Sequence, residues 1–306
     1  MLALNLTAQQ LASIPKEVFT HPHLEELWLD DNQIAQLPGE LIALKRLKSL
    51  SAYKNKLSGL PASLFKLTGL ERLNLSANSL PSLPHELGHL IHLRVLDLNY
   101  NQIAALPEAI GQLQQLQFLY LASNSLASLP DSFALLKQLT YLNLSHNLFT
   151  TLPAHLPVLE SLIELRLYHN RLIALPASLG ELRKLRECHA MHNQISALPD
   201  SIGQLTQLRK LMLEDNRLAT LPPSIGCLES LTDLDLRTNQ LAALPDTIGN
   251  LKNLRFLDLR GNKLLSLPSS LRTLQKLEKL DVRLNKGFVP PDWFQELEQR
   301  GCTIFY

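Results

Sequence analysis

His85-Glu86-Leu87-Gly88-His89 spells H-E-x-x-H. On an α-helix this spacing sets two imidazoles one turn apart to ligate Zn2+, while the glutamate between them takes a proton from the metal-bound water. His92, three residues on, offers a third nitrogen on the same face if the helix continues. Cys188, His189 and His192 form a second set of ligand-type side chains. His146, His169 and His192 form a third, each 23 residues from the next. On neighbouring strands they would stand roughly 5 Å apart, as solvated edge residues or as a pH-sensitive or metal-binding column. Asn5-Leu6-Thr7, Asn74-Leu75-Ser76 and Asn143-Leu144-Ser145 have the spelling of glycosylation acceptors. Whether any of these is chemistry depends on the elements that carry it.

Those elements repeat. Asparagine recurs at 32, 55, 78, 101, 124, 147, 170, 193, 216, 239, 262 and 285, and proline keeps its own register at 13 positions from 15 to 291. One unit, from Leu24, reads LEELWLDDNQIAQLPGELIALKR. A fixed period of this length with leucines in the pattern L-x-x-L-x-L-x-x-N marks a solenoid. The L-x-L core has strand period, two leucines inward and the residues between them outward. Stacked units then build a parallel sheet over one continuous leucine core. The asparagine stands where the chain turns inward, and its amide can bond backbone groups left unpaired there. Proline suits the first position of a short helical or 3-10 return, since it fixes φ and needs no N–H partner. The small residue at Gly88, Gly111, Gly180, Gly203, Gly226 and Gly249 is expected to let successive returns pack closely.

The register recasts the opening motif. PHELGHL at 84 aligns with PEAIGQL at 107, PASLGEL at 176, PDSIGQL at 199, PPSIGCL at 222 and PDTIGNL at 245. Leu87 and Gly88 belong to the repeat, so His85, Glu86 and His89 fill free positions on a surface with no cleft for hydrolysis. No catalytic role follows, and incidental metal binding by His85, His89 and His92 stays open. Cys188 and Ala190 fall on the inward positions, so Cys188 reads as a small core residue while His189 and His192 face out. The glycosylation spellings are polar residues beside an inward leucine.

The unit resembles leucine-rich-repeat proteins of the 23-residue class over essentially the whole chain. It is most similar to the intracellular Ras-group repeats of animal Ras scaffolds, plant relatives and Scribble-type proteins, and to many bacterial proteins. The resemblance implies an α/β fold, a right-handed horseshoe solenoid with a concave parallel β-sheet and short helical or 3-10 convex segments. It also implies a protein-binding scaffold of intracellular signalling, with a small GTPase, kinase or phosphatase as partner by analogy. A sensing domain of a larger kinase or GTPase, or a bacterial host-directed effector, are the alternatives.

Composition agrees with an interaction module and excludes several classes. The 29 basic and 28 acidic residues leave a net charge of +1, without the basic excess of a nucleic-acid binder. No apolar run approaches the ~20 residues of a membrane span, and no signal peptide opens the chain. Three scattered cysteines form no disulfide framework and suit a reducing, cytoplasmic compartment. No cofactor or catalytic residue is expected. A single domain over 1–306 is expected: a degenerate first repeat over 1–23, regular repeats over 24–286 and a C-terminal cap over 287–306. In the cap, Pro291-Asp292 opens an amphipathic helix whose Trp293, Phe294 and Leu297 cover the last repeat, Gly301 ends it, and residues 302–306 form a last strand. No such cap precedes the first repeat, which either caps itself or follows further chain.

The outward strand positions are the expected binding surface. Trp28 stands among acidic residues, and Tyr53 follows one repeat later. Val95, Phe118 and Tyr141 form one column with Tyr120 beside it, extended by Tyr100, Tyr168, His169 and His189. Clustered aromatics on rigid strands are the material of protein-binding hot spots, and cross-strand stacking is their alternative role. Farther on, Asp235-Leu236-Arg237, Asp258-Leu259-Arg260 and Asp281-Val282-Arg283 set an aspartate column beside an arginine column. This reads as a lattice of exposed ion pairs and as a charge-patterned docking surface through Arg237 and Arg260.

Overall fold

From Leu24 on, nearly all inward residues of the leucine pattern are buried, fully so at Leu24, Leu27, Leu29 and Ile34, whereas Leu4, Leu6 and Leu11 of the first repeat are half-buried. A three-residue strand presents its middle side chain to this core and its two flanking side chains to solvent. A computed structural model describes residues 2–306. The chain divides into two compact units, Met1–Leu148 and Phe149–Tyr306.

The first unit carries β1 (Ala3–Asn5), β2 (Glu26–Trp28), β3 (Ser49–Ser51), β4 (Arg72–Asn74), β5 (Val95–Asp97), β6 (Phe118–Tyr120) and β7 (Tyr141–Asn143). They pair in chain order, all parallel, with partners one period apart: Leu4 beside Leu27, Leu27 beside Leu50, and so on to Leu119 beside Leu142. The second unit repeats the arrangement with β8 (Glu164–Arg166), β9 (Glu187–His189), β10 (Lys210–Met212), β11 (Asp233–Asp235), β12 (Phe256–Asp258), β13 (Lys279–Asp281) and β14 (Thr303–Phe305). Cys188 holds the inward place between Leu165 and Leu211. It is fully buried, and burial pushes its thiol up to about 12. The parallel connections that this topology needs are leucine-lined turns and 3-10 returns, a parallel-sheet solenoid as the sequence pattern predicts.

Asparagine ties each repeat to the one before. Asn101 accepts the Leu80 N–H at 3.0 Å and donates to the carbonyls of Leu75 (3.0 Å), Leu98 (3.1 Å) and Asn99 (3.2 Å). One buried amide thus satisfies four backbone groups. The same pattern recurs at Asn78, Asn147, Asn193, Asn239 and Asn262. The residue before each asparagine is in the left-handed region: Asp31, Lys54, Ala77, Tyr100, Ser123, His146, His169, His192, Asp215, Thr238 and Leu284 have φ between +52 and +63. Only Gly261, at φ +65, is a glycine in this row. The conformation costs roughly 1–3 kcal/mol for a residue with a side chain, and the asparagine network holds it in place.

In most repeats proline directly precedes the return and does not open it as the sequence suggests, although Pro223 does open the segment Pro223–Cys227. Pro84 is extended (φ −76, ψ 161) ahead of the 3-10 segment His85–His89, and its carbonyl accepts the Leu87 N–H at 3.2 Å. The glycines do allow close packing of returns. A Cβ on Gly111 would meet the Ser132 carbonyl oxygen at 2.5 Å, and one on Gly203 the Ser224 oxygen at 2.6 Å.

At the C-terminal end α1 (Phe294–Gln299) buries Phe294 and Leu297. Phe294 packs against Trp293 (5.1 Å between centroids), Tyr306 (5.6 Å) and Phe288 (6.2 Å). The helix starts two residues later than Asp292, with Trp293 as its cap, and Gly301 at φ +91 lets the chain turn into β14. Among the described residues no helix is long and apolar enough to cross a membrane.

Candidate functional site

The solvent-facing strand positions and the turns that follow them carry the residues expected to bind a partner. In the first unit Val95, Phe118 and Tyr141 are neighbours in register. Phe118 is 37% exposed, with Tyr141 6.4 Å away and tilted. Tyr120 and Tyr141 are closer, at 4.8 Å between centroids. The aromatic cluster exists, and part of its area is spent on mutual packing. Tyr100 is outside it. This residue stands in the left-handed row at φ +54, beyond the end of β5, and is 64% exposed. Tyr53 is likewise past the end of β3, on the turn side, and exposed.

Trp28 and Tyr120 line a common hollow of about 430 Å³ with Asp30, Ser51, Arg72, Asn74, Val95 and Asp97. Asp30 accepts from the Ser51 hydroxyl at 2.5 Å and the Tyr53 N–H at 2.9 Å. Arg72 is turned to Glu26, at 3.2 Å, and to the Ser49 hydroxyl, at 3.5 Å. Burial pushes the Asp97 carboxyl above its ordinary range, and the 3.0 Å bond from the Asn99 N–H only partly opposes it.

In the second unit Tyr168 meets His169 edge-on at 5.9 Å, and His169 stacks on His192 at 4.2 Å with ring planes 9° apart. His192 Nδ1 lies 2.9 Å from the Asp215 carboxylate. The two histidines are turn residues of the left-handed row, so they flank the strands and are not on them. His189 is a strand residue bonded to Glu187 at 3.1 Å, and Lys210 meets the same carboxylate at 3.1 Å. Burial works to raise Glu187, but the hydrogen bonds from His189 and Lys210 outweigh it and hold the carboxyl low. Among the described residues, Glu164, Glu187 and His189 bring three potential metal ligands together. Arg166 already meets Glu164 at 2.6 Å, so the group is charge-neutralised by cations of the chain itself.

The H-E-x-x-H segment is a five-residue 3-10 turn. At 3.0 residues per turn, positions four apart point about 120° away from each other, so His85 and His89 do not share a face. Glu86 is paired with His85 at 3.3 Å, and His92 Nδ1 faces the Gln115 amide at 3.4 Å.

The aspartate and arginine columns differ from the exposed lattice expected. The side chains of Asp235, Asp258 and Asp281 are only 9%, 19% and 0% exposed. Each takes a guanidinium side-on through Nε and Nη2: Arg237 at 2.9 and 2.7 Å, Arg260 at 3.0 and 2.8 Å, Arg283 at 2.9 and 2.6 Å. Arg237 also reaches Glu214 at 2.6 Å, and Arg260 reaches Asp281 at 3.4 Å. The ladder edges a hollow of about 280 Å³ lined also by Met212, Asp233, Phe256 and Lys279. Phe256, 37% exposed under the Arg255 guanidinium at 5.2 Å, and Phe305, under Arg283 at 4.8 Å, are surface aromatics that the sequence reading passed over. Phe256 stands at the same place in the repeat as Phe118, which was the signal available.

Two family profiles match this architecture, "Leucine-rich repeat region" over residues 79–195 and "Leucine rich repeat" over 45–103 and 206–264. A leucine-rich-repeat protein of Leptospira interrogans is similar at 30% identity, over 99% of this chain and 95% of that one, with a TM-score of 0.57. The chain is a leucine-rich-repeat protein. Two further structures align with this leucine-rich-repeat chain. One is the plant peptide hormone receptor RGFR1 in complex with RGF2, at 29% identity and TM-score 0.72 over 92% of the chain. The other is Toll in the Drosophila Toll–Spätzle complex, at 26% identity and TM-score 0.86 over 99%. The chain spans 51% and 44% of those two proteins. No curated protein matches it by sequence.

Proposed function

We propose that this leucine-rich-repeat protein is a non-enzymatic interaction module that binds a partner protein on the solvent-facing side of its strands. The observation that carries the reading is the aromatic cluster of Phe118, Tyr120 and Tyr141, held on strands with Phe118 exposed and the two tyrosines half-buried. Apolar area of this kind, fixed at low entropy cost, is what hot spots supply. The presence of protein or peptide complexes among its structural neighbours supports the same reading. A scaffold of intracellular signalling is the finer form of the proposal. Three free cysteines, one of them exposed, favour a reducing compartment, and the Ras-group resemblance suggests a GTPase, kinase or phosphatase as partner.

Affinity capture from a native lysate tests it, with wild type beside the triple variant Phe118→Ala, Tyr120→Ala, Tyr141→Ala. Loss of specific proteins from the variant's capture is expected, with its thermal midpoint checked. Identical captures would remove the cluster from the binding surface.

A further inference from the structure

Three times in the second unit the chain writes Asp-[Leu/Val]-Arg, and three times the arginine folds back onto the aspartate two residues before it. In each case the arginine's backbone N–H also donates to the aspartate, at 3.1, 3.2 and 3.3 Å, which orients the carboxylate. Asp97-Leu98-Asn99 occupies the same place in its repeat. The orienting bond is retained, Asn99 N–H to Asp97 at 3.0 Å. The guanidinium is not, because Asn99 stands where arginine stands in the others and its side chain accepts the Ala122 N–H at 2.7 Å.

Asp97 therefore presents an oriented carboxylate with no cation of the chain upon it among the described residues. The one cation in the lining of the hollow, Arg72, is engaged with Glu26. Asp30, in the same lining, bonds neutral donors and adds negative charge. Tyr120, the register neighbour of Asp97, supplies an aromatic wall to which a cation is attracted through the ring quadrupole. A half-buried carboxylate of this kind gains most from a planar donor that bonds it through two N–H groups.

We infer that the hollow on β2 to β6 receives an arginine side chain of a protein partner, which bonds Asp97 side-on as Arg260 bonds Asp258. The inference rests on the protein-binding reading and specifies the residue the partner must bring. Asp97 is a binding residue in it, and Tyr120 positions the aliphatic and guanidinium portions of the guest.

The test uses the full chain and N-acetyl-arginine N-methylamide, with the neutral citrulline counterpart as control, followed by NMR at the Asn99 amide and the Trp28 indole. Saturable shifts are expected with the arginine compound, weaker by about tenfold or more with citrulline, as for loss of a charge-assisted pair. Asp97→Asn, which keeps the volume and the Asn99 bond, should lose the preference for arginine over citrulline. Asn99→Arg, which rebuilds the internal pair of the other repeats, should block binding, with both variants' folding checked by thermal midpoint. Equal shifts from the two compounds, no shifts, or an unchanged preference in Asp97→Asn would overturn the inference. Failure here with the aromatic triple variant still losing its captured proteins would leave the protein-binding reading standing, whereas arginine binding with identical captures would remove the Phe118, Tyr120 and Tyr141 cluster as the surface that carries that reading.

Discussion

Residue by residue, the same chemical group has opposite effects at different places in the repeat. Burial works to raise Asp281, but hydrogen bonds from the Arg283 side chain and backbone and the fields of Arg283 and Arg260 outweigh it and hold the carboxyl below its ordinary range. A carboxyl lowered in the folded state contributes stability that is present above the unfolded value of about 3.9 and is lost as pH falls through the folded one. Asp281→Asn should therefore lower the thermal midpoint at pH 7, and the gap to wild type should narrow in strong acid. Asp97 is raised, so the sign reverses: the folded state binds the extra proton and its ionisation opposes folding. Asp97→Asn should raise the midpoint at neutral pH and converge with wild type in mild acid. Thermal melts across pH check both, and parallel gaps at every pH would contradict them. Asn101→Ala leaves the Leu80 N–H without its partner and takes one donor from each of the carbonyls of Leu75, Leu98 and Asn99, which keep Asn78, Asn124 and the Ala77 N–H, a loss of about 1–3 kcal/mol by denaturant titration.

At the level of the element, the strands and the asparagine turns were legible because their leucine and asparagine positions recur without a slip. The left-handed residue before each asparagine was hidden, since its type varies from Ala77 to Tyr100 to Thr238. Its conformation is imposed by the bonds of the following asparagine and not by its own side chain. Thr238→Gly should relieve this and stabilise the protein by about 1 kcal/mol, read as a higher thermal midpoint; no gain would mean that the turn is unstrained. Gly111→Ala should do the opposite, because its Cβ meets the backbone carbonyl of Ser132 at 2.5 Å, a contact relieved only by separating two returns. The 3-10 form of His85–His89 was equally hidden, since H-E-x-x-H carries a meaning only on an α-helix. The candidate site was legible in part. Register placed Phe118, Tyr120 and Tyr141 together, whereas the depth of Asp235, Asp258 and Asp281 depends on arginines packed over them from their own and neighbouring repeats.

For the molecule as a whole, the ladder behaves as a one-dimensional lattice with a repeat vector of 23 residues, visible in partners such as Leu211 beside Leu234 and Leu234 beside Leu257. A lattice is unchanged when a whole vector is removed. Excising residues 193–215 joins His192 to Asn216, and every asparagine again finds its carbonyls and N–H groups at the same offsets. Such a chain should fold with parallel-sheet circular dichroism intact and a lower midpoint, since one repeat and one interface are gone. Excising 22 residues should not, because the phase of every inward leucine beyond the junction would be lost. In this protein length is thus a quantised variable: the fold tolerates change in whole periods and resists it in fractions.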